Sequence, residues 1–295
     1  MHDVPVSRSS GTVVAAHGRH YLVELDDGER LDCFPRSKKS EVACGDRVDI
    51  ERVADDQGVI AAIQPRRSLL YRSDAFRQKL IAANVTQVIV VVAGEPAFSS
   101  EVLTRCLIAA EVQELATLVV LNKVDLTAGR AAAEARLAEL EALGQPILRL
   151  AATVDANPLR VRLAGHTSLL VGQSGMGKST LVNALVPGAD AATREISTAL
   201  GSGRHTTTHA TLYRLAADSA LIDSPGLQEF GLAHVSRGEL EHAFRDFHDW
   251  LGHCRFRDCR HDTEPDCALR GAVASGRLSA QRLTLFQTIA RSLPS

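Results

Sequence analysis

One segment of the chain, Gly172 to Thr180, combines three glycines with a lysine and hydroxyl side chains in the order GQSGMGKST. It follows the short apolar run 167–171 and precedes a helix-like stretch. Glycines would let the backbone turn N–H groups toward phosphate oxygens, and the helix N-terminus would favour the same anion. The segment therefore predicts a phosphate loop rather than a chance glycine-rich turn, with these binding residues: Gly172, Gln173, Ser174, Gly175, Met176, Gly177, Lys178, Ser179 and Thr180.

Within this loop, two side chains have chemical roles. Lys178 would neutralise the β and γ phosphates and so assist catalysis, and the Ser179 hydroxyl would ligate Mg²⁺. A second phosphate-side element, Asp223-Ser224-Pro225-Gly226, ends the apolar run 219–222. An aspartate there reaches Mg²⁺ through water, and the glycine N–H senses the γ-phosphate, so we assign these roles to Asp223 and Gly226. Alone, these four residues would predict only a β-turn.

A base-reading tetrad, Asn122-Lys123-Val124-Asp125, closes the apolar run 118–121. Ligands of parallel α/β sheets bind at such carboxyl ends. Asp125 would accept hydrogen bonds from guanine N1 and the exocyclic amine, Asn122 would bind the opposite edge, and Lys123 would pack over the ring, which favours GTP over ATP. A second base-side loop is expected at Ala151-Ala152-Thr153, after the strand 146–150.

The order of these motifs is inverted. In an ordinary small GTPase the phosphate loop comes first, whereas here the base-reading tetrad precedes it. The chain is therefore predicted to be circularly permuted.

Three cysteines and a histidine lie close together near the C-terminus as Cys254, Cys259, His261 and Cys267. Soft sulfur ligands with one imidazole match the tetrahedral preference of Zn²⁺. Four protein ligands leave no position for a reactive water, so the pattern predicts one structural Zn²⁺ site. A coincidental group of free thiols is the alternative.

The elements that must position these groups follow from hydrophobic patterning. Short alternating runs with an Asp27-Gly28 turn predict a small OB-like β-barrel, with strands at 12–15, 20–25, 29–34, 46–52 and 58–63. A buried strand from 84 to 93, helices at 103–115 and 131–143, and a loop at 196–212 predict an α/β domain. Helices are expected at 238–250 and 279–290. The predicted domains are a barrel at 1–67, a circularly permuted P-loop GTPase domain at 68–235 and a helical zinc-binding module at 236–295.

Composition limits the partners. A net charge of −2 gives no global attraction to nucleic acid, so RNA binding requires local patches such as Arg36, Lys38 and Lys39 or Arg255, Arg257 and Arg260. Such patches are often only solvated faces. The N-terminus has no signal-peptide pattern and no apolar run is long enough to span a bilayer, which predicts a cytoplasmic protein. We expect a monomer.

The combination of motifs resembles the RsgA or YjeQ family of ribosome-small-subunit-dependent GTPases. The resemblance rests on the barrel, Ala83-Asn84-Val85, NKVD, GQSGMGKST, GRHTTT at 203–208, DSPG and the cysteine and histidine ligands. It implies a late assembly factor that binds the small subunit and its rRNA, hydrolyses GTP to GDP and phosphate, and is stimulated by the subunit. Two departures are Thr86, where the family often has aspartate, and Ser37, which replaces a glycine.

The residue after the Gly226 position is Leu227, whereas Ras-like enzymes have a glutamine that orients the attacking water. The resemblance implies that a switch I histidine takes this role, and His205 is the matching position, with His209 as the second candidate. Thr207 is the expected second hydroxyl ligand of Mg²⁺, beside Ser179. Two alternatives remain: a P-loop kinase, and an rRNA-binding zinc protein whose nucleotide site is inert.

Overall fold

The structure is a computed structural model that describes residues 8–17, 19–37, 41–74, 77–189, 210–224 and 230–293. Within these ranges no helix is both long and apolar enough to cross a lipid bilayer. The predictions for Lys38, Lys39, His205, His209, Thr207, Gly226 and Leu227 fall outside the described residues.

Five strands at the N-terminus form a closed barrel: β1 (Arg8–His17), β2 (His20–Leu25), β3 (Arg30–Pro35), β4 (Arg47–Arg52) and β5 (Gln57–Ile63). Their order is β1-β2-β3-β5-β4, and β4 pairs back to β1. Only the β3–β5 pairing is parallel among these strands. Alternate side chains fill a separate core that includes Val23, Leu31 and Ile50. The predicted OB-like barrel is confirmed.

A hairpin that the sequence analysis missed connects the barrel to the α/β domain. Strands β6 (Leu69–Asp74) and β7 (Arg77–Ala83) pair in antiparallel fashion as a separate sheet. Its base is buried through Leu70, Ala82 and Ala83. The run from 69 to 83 contains several charged residues, which obscured the period-two pattern that identifies strands.

The central sheet is built from β8 (Gln87–Ala93), β9 (Ala116–Asn122), β10 (Ile147–Arg149), β11 (Thr167–Val171), β12 (Thr211–Ala216) and β13 (Ser219–Asp223). Their order is β10-β9-β8-β11-β13-β12, parallel except for β12. The chain moves outward from β8 and then returns to place β11 on its other side. This topological switch point opens a crevice at the carboxyl ends, where ligands of such sheets bind. Thr211 and Leu212, predicted in a loop, instead begin β12 and are buried because they pair with β13.

In the part of the chain that the structure describes, four helices cover this sheet: α1 (Ser100–Val112), α2 (Arg130–Ala142), α3 (Asn157–Leu163) and α4 (Lys178–Leu185). The first two lie close to their predicted ranges. α1 begins at a serine cap, because the Ser99 hydroxyl accepts a hydrogen bond from Val102 N at 3.3 Å. α4 begins directly after the phosphate loop.

The C-terminal module contains α5 (Arg237–Ala243), a 3₁₀ helix (Arg245–Trp250), α6 (Ala268–Ala274) and α7 (Ala280–Arg291). The prediction of one helix from 238 to 250 was wrong, because Phe244 has φ −91° and ψ 89° and interrupts it. This break lets Phe244 and Phe247 both face α7, where they surround Phe286 at ring distances of 5.5 and 5.3 Å. Contact among the three buried rings stabilises this broken arrangement.

One continuous apolar core joins the central sheet to the C-terminal module. Polar contacts reinforce this joint: Arg245 pairs with Glu111 at 2.9 Å, and Arg105 donates to Ser292 Oγ at 2.8 Å. Both contacts involve α1, which therefore carries the C-terminal module on its outer face.

Candidate nucleotide site and cysteine–histidine centre

The phosphate loop has the backbone that its glycines predicted. Gly172 has φ 148° and Gly177 has φ 89°, both in the region that side chains disfavour. A Cβ on Gly172 would also overlap the carbonyl oxygen of Val91 on β8. The Ser179 and Thr180 side chains at the start of α4 are exposed. Backbone N–H groups at this helix N-terminus can therefore meet phosphate oxygens.

Lys178 and Asp223 are both partly buried and interact electrostatically at the carboxyl ends of β11 and β13. Lys178 Nζ donates to Gln173 O at 2.9 Å and to Gly172 O. Burial lowers the pKa of Lys178, and the charge of Asp223 opposes this shift. Burial raises the pKa of Asp223, and Lys178 opposes that shift. Burial therefore disfavours both charges, as expected of a site made for a charged ligand.

Asp223 fits a role near a cation. Its Oδ1 atom is buried and has no hydrogen-bond partner within the described part of the chain. Carboxylate and hydroxyl oxygens are the ligands that Mg²⁺ prefers, and the exposed Ser179 hydroxyl supplies the second kind. The donor set is therefore suited to Mg²⁺ beside a phosphate chain.

Asp223→Asn should stabilise the nucleotide-free protein at neutral pH while weakening Mg²⁺-dependent nucleotide binding. The folded-state pKa of Asp223 is raised, so ionisation penalises folding above that pKa, and the amide removes the penalty. As pH falls below the raised pKa, the carboxyl of the folded wild-type protein becomes neutral and the difference between the two proteins should shrink. It should disappear once pH is below the ordinary pKa of an aspartate in the unfolded chain. Thermal unfolding from pH 7 downward measures this difference. A variant less stable than wild type at pH 7 would contradict it.

Asn122 connects the two motifs that are distant in sequence. Its side chain is 2% exposed, its Nδ2 donates to Met176 O at 3.0 Å, and its Oδ1 accepts from Ala152 N at 3.0 Å. The phosphate loop, the tetrad and the 151–153 loop therefore meet at one side chain. The position of the 151–153 loop agrees with its prediction.

The rest of the tetrad lies on a tight turn after β9. Lys123 has φ 61°, and its Nζ donates to Glu95 O at 3.1 Å. Leu126 N donates to Lys123 O at 3.0 Å and closes the turn. The side chain of Asp125 is exposed at its end. An exposed carboxylate held on a hydrogen-bonded turn can accept the two donors of a guanine edge.

Gly177→Ala should weaken GDP binding by about 10-fold to 100-fold, the cost of forcing a side chain into left-handed backbone. A Cβ there would also overlap Asn122 Nδ2, and the buried amide cannot move without breaking its bonds to Met176 and Ala152. Fluorescent GDP titration measures the loss.

Gly188→Ala is the matched control for this variant. Gly188 has φ 82°, comparable to that of Gly177, but a Cβ would meet no atom within 4 Å. It should lose stability without a specific loss of GDP affinity. Equal GDP affinities for the two variants would contradict the steric argument.

Three features of the nucleotide site were missed from the sequence. The Gln173 side chain accepts from Ser99 N at 2.6 Å, so it anchors α1 rather than facing phosphate. In the turn at 94–97, Glu95 O accepts a hydrogen bond from Lys123 Nζ. The sequence could have indicated a role for this turn, because it follows a buried strand at the ligand-binding edge of the sheet. Cys106 on α1 lies near Lys178, and burial raises the pKa of its thiol to about 12, so it is an inert neighbour.

The cysteine–histidine centre brings together the four predicted side chains, whose ligand atoms all lie within 4.8 Å of one another. His261 Nδ1 is 3.5 Å from Cys254 Sγ, 3.6 Å from Cys259 Sγ and 3.3 Å from Cys267 Sγ. Zinc bonds of about 2.3 Å to sulfur and about 2.1 Å to nitrogen would place tetrahedral ligands about 3.6 Å apart. The centre is compatible with zinc.

Groups outside the four ligands fix their positions. Glu241 Oε1 lies 3.4 Å from His261 Nε2, a contact typical of histidines whose other nitrogen binds metal. Gln287 Nε2 donates to His261 O at 2.7 Å, and Ala268 N donates to Cys254 Sγ at 3.3 Å. Helices α5, α6 and α7 therefore all support this centre. Glu241 could not be found from the sequence, because its distance from His261 depends on tertiary packing.

Comparison with known proteins gives concordant results. The model of the RsgA GTPase family matches residues 63–233. The small ribosomal subunit biogenesis GTPase RsgA of Burkholderia pseudomallei (strain K96243) is 57% identical over 284 residues, covering 95% of this chain and 90% of its own. The protein of that name from Ralstonia pickettii (strain 12J) is 51% identical, with coverage of 97% and 93%.

Solved structures agree with this relationship. The crystal structure of YjeQ from Thermotoga maritima has a TM-score of 0.71 and 31% identity, and covers 96% of this chain and 97% of its own. YloQ, described as a circularly permuted GTPase, has a TM-score of 0.68, coverage of 98% and 96%, and 22% identity, which supports the fold alone. Together with the family model and the close sequence relatives, these findings show that the chain belongs to the RsgA GTPase family.

Proposed function

We propose that this chain hydrolyses GTP to GDP and phosphate during late maturation of the small ribosomal subunit, and that the subunit stimulates the reaction. The hydrogen bonds of Asn122 carry the nucleotide part of this proposal, because they bring a guanine-type tetrad next to a phosphate loop. The names of the relatives, which match over almost their whole length, support the ribosomal part. We further propose that the chain acts in the cytoplasm as a monomer.

The residues of the site would have two kinds of role: some would bind the nucleotide, and others would neutralise the charge of its phosphates. Asp125 would select guanine, with Asn122 and Lys123 supporting the base. The phosphate loop would hold the phosphate chain, and Lys178 would stabilise negative charge as the γ-phosphate leaves the β-phosphate oxygen. Ser179, Thr207 and Asp223 would hold Mg²⁺, which supplies further neutralisation when bound. Gly226 would donate its N–H to the γ-phosphate.

Two surfaces could contact rRNA. On the barrel, Arg36 pairs with Glu51, which reduces its free charge. On the C-terminal module, Arg255 pairs with Asp266, whereas the side chains of Arg257 and Arg260 are exposed and form no ion pair among the described residues. Phe256 beside them is 42% exposed. An exposed aromatic ring among arginines suits unpaired RNA bases and phosphates, so we favour this module as one contact surface.

We keep the division into a barrel at 1–67, a GTPase domain at 68–235 and a zinc module at 236–295 as part of the proposal. Zn²⁺ bound by Cys254, Cys259, His261 and Cys267 would be structural, because four protein ligands complete a tetrahedral site. Its task would be to order a loop that has few apolar residues of its own.

Phosphate release from GTP, with and without purified small subunits, tests the proposal. We expect subunits to raise the turnover at least about 10-fold, which corresponds to about 1.4 kcal/mol of barrier. Subunits alone serve as the control for contaminating hydrolases. Flat background turnover would instead favour the nucleotide-inert rRNA-binding alternative.

His205 is the proposed water-orienting residue, because Leu227 cannot perform that role. His205→Ala should lower subunit-stimulated turnover by about 100-fold or more, the usual contribution of a positioned acid or base, with unchanged GDP affinity. His209→Ala is the matched control in the same segment. Equal losses in both variants, or a loss in His209→Ala alone, would reject His205.

A further inference from the structure

Strand β1 of the barrel pairs directly with β12, the strand next to Asp223, which is the carboxylate proposed to hold Mg²⁺. Ala15 on β1 is the register partner of Thr211 on β12, and Thr211 is the partner of Asp223 on β13. These three residues form one line across three adjacent strands. A shift of β1 relative to β12 therefore acts on the backbone beside Asp223 without passing through any flexible connection.

A second contact supports the same joint. Gly45 of the barrel lies against the central sheet, where an added Cβ would be 3.3 Å from Ile222 Cδ1, one residue before Asp223. Asn84 Nδ2 donates to Gly45 O at 3.0 Å, and Ala83 N donates to Cys44 O at 2.8 Å. The barrel thus contacts both β12 and the end of β13.

Backbone pairing alone defines the register between β1 and β12 only weakly. Among the residues that the structure describes, the pairing has one partner pair, Ala15 and Thr211, and β1 is irregular between Val13 and Ala15 in its pairing with β2. Short pairings beside bulges are the ones in which register can slip. Side-chain contacts therefore add to the backbone pairing in defining how β12 sits on the barrel.

Arg214 provides such a contact across this edge of the joint. Its Nε lies 3.0 Å from Glu24 Oε1 on β2, and its Nη2 donates to Thr12 Oγ1 on β1 at 3.2 Å. One side chain on β12 thus holds two barrel strands. Arg214 is 44% exposed, so this ion pair adds little to global stability, and its effect is on register.

We propose that Arg214 is a positioning residue that locks β12 to the barrel and thereby sets the position of Asp223, so that a ligand bound to the barrel can change Mg²⁺ affinity. The mechanism requires a joint with two registers, which a barrel ligand would bias by binding them unequally. That the barrel ligand is the small subunit rests on the function proposed above.

The test compares Arg214→Ala, Arg214→Lys and Arg30→Ala. Arg30 is the matched control, because it pairs with the same Glu24 at 3.1 Å and is 48% exposed but lies within the barrel. The readout is the Mg²⁺ concentration that gives half-maximal binding of fluorescent GDP. Arg214→Ala should raise it about twofold to fivefold, the range that an exposed ion pair supports. Arg214→Lys should recover part of this change, and Arg30→Ala should match wild type.

A value for Arg214→Ala equal to wild type would overturn the inference, as would an equal shift in Arg30→Ala. Stimulation by small subunits is measured separately, and Arg214→Ala should reduce it while basal turnover at saturating Mg²⁺ stays unchanged. Undiminished stimulation in Arg214→Ala would reject transmission through this joint. Absence of stimulation in wild type would reject the proposed function, and the Mg²⁺ titration would still decide the role of Arg214.

Discussion

Asp125→Asn should change the preferred nucleotide of this chain from GTP to xanthosine triphosphate. Asp125 is expected to accept hydrogen bonds from guanine N1–H and its exocyclic amine. Xanthine has a carbonyl oxygen in place of that amine, so an asparagine amide can donate where the aspartate could only accept. We expect the affinity for GTP to fall by about 10⁴-fold, because sites built on hydrogen bonds reject a ligand that leaves them unpaired.

The local structure should confine the effect of this substitution to base recognition. The turn that carries Asp125 is held by backbone hydrogen bonds, from Leu126 N to Lys123 O at 3.0 Å and from Val124 N to Leu150 O at 3.3 Å. The side chain of Asp125 is exposed and contributes nothing to these bonds. The variant should therefore fold normally, and only the base preference should change.

Asp155→Asn is the matched control. Asp155 is also an exposed carboxylate, in the neighbouring loop, and its Oδ1 accepts from Asn157 N at 2.9 Å, a bond that the amide oxygen can keep. It should bind GTP like wild type. Competition titrations with GTP, ATP and xanthosine triphosphate separate the outcomes. Unchanged preference in Asp125→Asn would remove the guanine assignment and favour the P-loop kinase alternative.

The same variant also sharpens the ribosomal experiment. Contaminating GTPases in a subunit preparation do not use xanthosine triphosphate efficiently, because their own sites select guanine. Phosphate release from that nucleotide by Asp125→Asn, with and without subunits, therefore reports this chain alone.

The site residues that local motifs predicted lie together in the structure, whereas the contacts that support them were not predicted. The phosphate loop, the tetrad and the cysteine–histidine centre each depend on residues within fourteen positions of one another, and their glycines and ligands are visible in the sequence. The bonds of Asn122 to Met176 and Ala152 agree with the expectation that carboxyl ends of parallel strands meet. These predictions needed only local geometry and one general rule about sheets.

Long-range packing decided what the sequence did not reveal. Phe244 interrupts a helix because Phe286, on a distant helix, offers an aromatic surface. The β1–β12 joint pairs Ala15 with Thr211, and the sequence of neither strand indicates which strand it pairs with. Hydrophobic periodicity reports which face is buried but not what buries it, so these features required the structure.

Removal of the cysteine–histidine centre should have the second large effect. Cys259→Ala should abolish binding of zinc and lower the thermal midpoint by about 10 °C or more, since structural zinc contributes several kcal/mol to folding. The ligand loop between Cys254 and Cys267 has little apolar content, so its order depends on the centre. The surrounding helices also share the core of the GTPase domain, which should keep the rest of the chain folded.

Cys33→Ala is the matched control for this substitution, because Cys33 is a fully buried thiol in the barrel core and lies outside the centre. It should retain zinc and lose only the small packing energy of one sulfur atom, about 1 kcal/mol. Metal analysis and thermal unfolding are measured on both variants, with GDP binding at low temperature as the third readout. Because none of the four ligand side chains belongs to the phosphate loop or the base-reading tetrad, Cys259→Ala should still bind GDP below its midpoint. Zinc-free wild-type protein, or equal midpoints for the two variants, would mean that the four side chains are only neighbouring thiols and an imidazole.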